Sequence, residues 1–125
     1  MRPSRNMTIS IGLSIIVAGV NINAKEPEEL VQEFCYAMQA SFLCDNLSVR
    51  VGTREKIKKQ VGGAFQKPGD PYAKECKAGL NKAFDDENKG LCEIAWEKYG
   101  CYGKNIPRML QENPFVNKNG IFCKY

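Results

Sequence analysis

Six cysteines are the side chains in this sequence best able to do covalent chemistry: Cys35, Cys44, Cys76, Cys92, Cys101 and Cys123. None stands in a C-x-x-C pair, the spacing a zinc ribbon or a thioredoxin-like redox site needs. Histidine is absent altogether. Without an imidazole there is no Ser-His-Asp or Cys-His nucleophile system, no His-dependent phospholipase or ribonuclease, and little basis for a catalytic zinc. The 14 Asp and Glu residues contain the acid and base a glycoside hydrolase uses, but no motif singles out a pair. Asp85-Asp86-Glu87 lacks the spaced oxygen ligands and the glycine of an EF-hand loop. The expectation is a non-enzyme with no catalytic residues, no metal site and no cofactor.

An even cysteine count fits an oxidising compartment, and the start of the chain agrees. Arg2 and Arg5 precede a mostly apolar run from Met7 to Val20, and Ile22 and Ala24 then offer a cleavage site. Residues 1–24 read as a signal peptide and 25–125 as a single secreted, extracellular domain. The apolar run falls short of the roughly 20 residues a bilayer span needs, so no membrane partner is expected. Removing Arg2 and Arg5 from the 18 Lys and Arg, against 14 Asp and Glu, leaves a net charge near +2. That is too little for a nucleic-acid binder.

The elements that must position these residues read as helices. Pro27 suits a first turn, Glu26, Glu28 and Glu29 favour its positive end, and Leu30, Phe34, Met38 and Phe42 form a stripe running to about Cys44. Thr53 is placed to cap a second helix that buries Ile57, Val61 and Phe65. Asp70 as cap and Pro71 as first residue start a third, with Tyr72, Cys76, Leu80 and Phe84 inward. Asp85-Asp86-Glu87 serves as cap and acidic first turn of a fourth, whose face is Leu91, Cys92, Ala95, Trp96, Tyr99 and Tyr102. A short fifth helix is expected from Ile106 to Glu112, and no strand pattern stands out. The fold class is all-α, four to five short helices tied by three disulfides.

Helix geometry limits the pairings. Cys35 and Cys44, like Cys92 and Cys101, are nine residues apart, which on a helix means opposite faces and about 13.5 Å of rise. Neither pair closes on itself. If the third and fourth helices form an antiparallel hairpin about the acidic turn, Cys76 falls within one turn of Cys101, and that pair is preferred. Cys92 then reaches the first helix or the tail. A tail-centred scheme joining Cys101 to Cys123 stays open.

Two surface features carry binding signals. Arg50, Arg54, Lys56, Lys58 and Lys59 are the one positive cluster, suited to an acidic protein surface or a sulfated glycan. Asn46-Leu47-Ser48 is an N-glycosylation sequon just past the first helix.

The stretch from Leu91 through Cys92 and Trp96 to Cys101, with its eight-residue gap between cysteines, resembles insect odorant-binding proteins, which are helical secreted six-cysteine carriers. Cys76 stands at an acceptable distance for the family's fourth cysteine, and the family's join of fourth to sixth cysteine implies Cys76–Cys101 in the same sense. The family's Cys-x-x-x-Cys pair is absent and Cys123 is additional. The overall format is also similar to small salivary proteins of blood-feeding insects, in particular the anophensin-type family of anopheline mosquitoes. That resemblance implies a secreted inhibitor that binds host plasma proteins of the complement or contact-phase system. The odorant-binding resemblance implies instead a carrier of a small apolar or amine ligand, with Trp96, Tyr99 and Phe84 lining its pocket.

Overall fold

Pro27 and the two carboxylates behind it start helix α1, Pro27–Leu43, as their chemistry requires, with Glu26 at the cap position. The structure, a computed structural model, describes residues 25–113. The signal-peptide reading of 1–24, Cys123 and the rest of the tail lie outside the described residues. Strand β1 (Leu47–Val49) follows, then α2 (Thr53–Val61), α3 (Ala73–Asp86), a single 3₁₀ turn (Glu87–Lys89), α4 (Leu91–Tyr99) and strand β2 (Leu110–Glu112). No helix among the described residues is long and apolar enough to cross a membrane.

The described residues are mostly helical, and α1 is the axis of the fold. Leu30, Val31, Phe34, Cys35, Ala37 and Ala40 are fully shielded from solvent, so α1 is covered on several sides rather than along one stripe. Phe34 meets Phe65 edge to face, with ring centroids 5.6 Å apart, which seats α2 and its trailing loop on α1. Ile57, Val61 and Phe65 are buried as the sequence implies. Phe42, assigned to the α1 stripe, is instead 70% exposed, although Leu43 and Cys44 just after it pack against the core.

Helix α3 departs from its sequence reading in start and face. Asp70 closes the preceding turn, its Oδ2 accepting the Lys67 N–H at 2.8 Å, so the helix begins at Ala73 behind Tyr72. The buried side is Cys76, Gly79, Ala83 and Asp86, whereas Phe84 is half exposed. Small residues let α3 press onto the α1 backbone: a Cβ on Gly79 would overlap the Gln32 carbonyl oxygen. Similarly, Gly52 rather than Thr53 stands at the α2 cap, with positive φ. Gly90, also at positive φ, redirects the chain between the 3₁₀ turn and α4. The acidic triplet therefore ends α3 instead of capping α4.

That redirection corrects the disulfide assignment. Helix α3 packs along α1 and scarcely touches α4, so the expected α3–α4 hairpin does not form. Cys76 joins Cys35, and Cys92 joins Cys44. Cys76–Cys101 is thus excluded, while the exclusion of Cys35–Cys44 and Cys92–Cys101 holds, and Cys92 does reach the end of the first helix. Among the described residues, no cysteine is free.

The fifth helix is also replaced. After α4 the chain folds back onto its last turn: the Lys104 N–H donates to the Glu97 carbonyl, Asn105 and Ile106 to Lys98, and Arg108 to Gly100. Residues 110–112 then pair antiparallel with β1, Leu47 opposite Glu112 and Val49 opposite Leu110. Leu47, Met109 and Leu110 are buried under this two-stranded ladder.

Candidate binding surfaces

The basic cluster belongs to α2 and the loop before it. Only Ile57 and Val61 of this helix are buried, which leaves Arg54, Lys56, Lys58 and Lys59 on its outer surface. Arg54 Nη2 leans toward Met38 Sδ at 3.8 Å, and Gln66 Nε2 approaches the same sulfur at 3.7 Å, so the helix start is drawn against α1. Lys56, Lys58 and Lys59 project into solvent. Arg50 is half-buried, and its backbone N–H donates to the Met109 carbonyl. Burial, then the charge of Arg108, lowers its guanidinium pKa from the ordinary value. Arg108 therefore extends the cationic surface. No local signal in the sequence marks it, because the β1–β2 pairing brings it beside Arg50 from the far end of the domain. Val51 is fully exposed within this surface.

Trp96 forms a second surface. Half-buried on α4, it lines a solvent-open groove of about 440 Å³ with Asn46, Leu47, Cys92, Glu93, Glu97 and Glu112. A neighbouring groove of about 420 Å³ shares Trp96, Glu97 and Glu112 and adds Cys101, Tyr102 and Lys104. Asn46 is exposed at the rim. Among the described residues, Trp96 and Tyr99 line different grooves, Tyr99 being buried against α1, while Phe84 is half exposed.

The third site joins α1, α3 and the α4 return, and sequence reasoning missed it. Glu33 and Asp86 are both buried. Glu33 Oε1 accepts from Tyr99 Oη at 2.8 Å and from Asn105 Nδ2 at 2.5 Å. Its Oε2 lies 2.8 Å from Lys25 Nζ, an ion pair without an aligned hydrogen bond. Asp86 accepts from Tyr36 Oη at 2.7 Å and pairs with Lys82 at 3.2 Å, while Lys98 Nζ sits 5.1 Å above the Tyr36 ring. The Tyr36 hydrogen bond, with help from Lys82, holds the Asp86 carboxyl below its ordinary pKa despite burial. Burial, then the neighbouring carboxylate, pushes both phenols above theirs. A small open cleft of about 240 Å³ runs between these groups. A carboxyl poised as general acid needs a raised pKa, and Asp86 has the opposite shift. The arrangement acts as a polar latch between helices.

No protein-family model, curated protein or solved structure matches the chain.

Proposed function

We propose that this is a secreted, non-enzymatic inhibitor that binds plasma proteins of the complement or contact-phase system. The reading rests on one observation: α2 buries two side chains and turns Arg54, Lys56, Lys58 and Lys59 outward beside Arg50, Arg108 and the exposed Val51. Cations around an exposed apolar residue suit recognition of an acidic protein surface, since charge speeds and orients the encounter while apolar contact adds affinity. The disulfides Cys35–Cys76 and Cys44–Cys92 fix α1 against α3 and α4, which limits the entropy lost on binding. The choice of plasma targets follows the similarity in format to salivary proteins of blood feeders.

The direct experiment is a pull-down from plasma with residues 25–125, followed by complement and clotting assays. Retention of a defined plasma protein with inhibition of its pathway supports the reading. No retained protein and no inhibition at micromolar dose refutes it. The carrier reading draws on the Trp96 groove, whose carboxylates suit an amine. Displacement of a fluorescent probe by a lipid or amine panel, read beside Trp96 emission, separates the two.

A further inference from the structure

We propose that Asn46 carries an N-linked glycan whose first sugar sits in the Trp96 groove. The Oγ of Ser48, in strand β1, is buried and makes no hydrogen bond among the described residues. A buried hydroxyl without a partner loses its hydration and gains nothing, so alanine would serve this position in the fold as well or better. The hydroxyl therefore has no structural use once the strand has formed. It does have one earlier, in the extended chain, as the third residue of Asn46-Leu47-Ser48, where a Ser or Thr hydroxyl is what marks the asparagine as an acceptor.

Asn46 has the complementary properties. It is exposed in the turn between α1 and β1, and its side-chain amide is not engaged by any described residue. Its backbone carbonyl accepts the Asn113 N–H at 2.8 Å, so the backbone is fixed while the side chain stays at the surface. A glycan added before folding is thus carried outside the core. In the transfer, Asn46 Nδ2 bonds to the anomeric carbon of an oligosaccharide borne on a polyprenyl diphosphate. The carbon–oxygen bond to the diphosphate breaks, the diphosphate leaves with the bonding pair, and the amide nitrogen gives up one proton.

The groove supplies the docking place. Asn46 shares its lining with Trp96, Glu93, Glu97 and Glu112, whose carboxylates can accept from sugar hydroxyls. The apolar face of a pyranose laid on the half-buried indole takes that ring out of water, as aromatic platforms commonly do. A groove so filled is closed to the small ligands of a carrier.

The proposal rests on the chain entering the secretory route, and the test separates the two. The full chain is expressed in eukaryotic secretory cells, and the medium and cytosol are analysed by intact mass and peptide mapping. The expected product is secreted and disulfide-bonded, and carries a glycan that peptide-N-glycanase removes to leave aspartate at position 46. S48A and N46Q are secreted without it, and S48A keeps or raises the urea midpoint of the enzymatically deglycosylated chain. A secreted, oxidised chain with unmodified Asn46 overturns the proposal and leaves the secretory reading standing. A chain retained in the cytosol with reduced cysteines overturns both. Emission from Trp96, the single tryptophan, reports the docking. Deglycosylation should red-shift it and increase acrylamide quenching, and no change in either overturns the groove placement.

Discussion

Burying an ionised carboxylate costs several kcal/mol unless partners replace its water, and Glu33 and Asp86 each have a tyrosine and a lysine to do so. Removing one partner strands the other. Y99F should destabilise the fold by about 1–3 kcal/mol at neutral pH, read from urea midpoints, because Glu33 loses its buried donor. The pH dependence follows from the shifts. Both phenols ionise above their ordinary value of about 10 when folded, so on raising the pH the unfolded chain releases these protons first. Their contribution is complete below about pH 10 and lost above it; Y36F and Y99F should each flatten the alkaline fall in stability. Asp86 has the opposite sign: its lowered folded pKa contributes stability above about pH 4 that is lost on acidification. The cysteines give another residue-scale outcome. Cys35–Cys76 and Cys44–Cys92 account for four of six, and Cys101 is not free. Non-reducing peptide mapping should therefore yield linked peptides for both pairs, and a Cys76–Cys101 peptide would contradict the fold.

At the scale of elements, the closest contact is between α1 and α3 at Gly79. G79A must push the helices apart, since the new Cβ meets the Gln32 carbonyl and the Tyr36 amide, which are rigid backbone. A loss of about 3 kcal/mol is expected by chemical denaturation. A78G, at the exposed position beside it, should cost only about 1 kcal/mol. The same crossing explains where sequence reading succeeded and where it failed. The extent of α1 was legible because Pro27, acidic first-turn residues and a long apolar pattern all agree. The buried line of α2 was legible for the same reason. The inward face of α3 was not, because periodicity weights large side chains and points to Phe84, whereas close packing is built on Gly79 and Ala83. Once that face turns to α1, the α3–α4 hairpin and its disulfide are lost together. Strand β2 was illegible because three residues carry no period, and its partner lies more than sixty residues away. The Glu33–Tyr99 and Tyr36–Asp86 latch has no local signature for the same reason of separation.

For the whole molecule, charge distribution decides more than net charge. With a balance near +2 for residues 25–125, the domain has little long-range field, and at physiological salt charges act over about 8 Å. Attraction to an acidic partner therefore comes from where the cations sit. Lys56, Lys58 and Lys59 stand on the proposed face, while Lys74, Lys77 and Lys89 are also exposed, on α3 and the turn after it. Reversing either trio to glutamate changes the total charge by the same amount. If α2 is the binding face, K56E/K58E/K59E should slow association with the captured plasma protein by about tenfold, and raising the salt should slow the parent chain in the same direction. The K74E/K77E/K89E variant should associate at nearly the parent rate. Both trios lie outside the core, so unfolding free energies from urea titration should move by about 0.5 kcal/mol for the α2 trio and by somewhat more for the other, whose Lys89 charge favours ionised Asp86, and this separates loss of binding from loss of fold. Equal slowing by the two trios would mean that overall charge, and not the face of α2, drives the encounter.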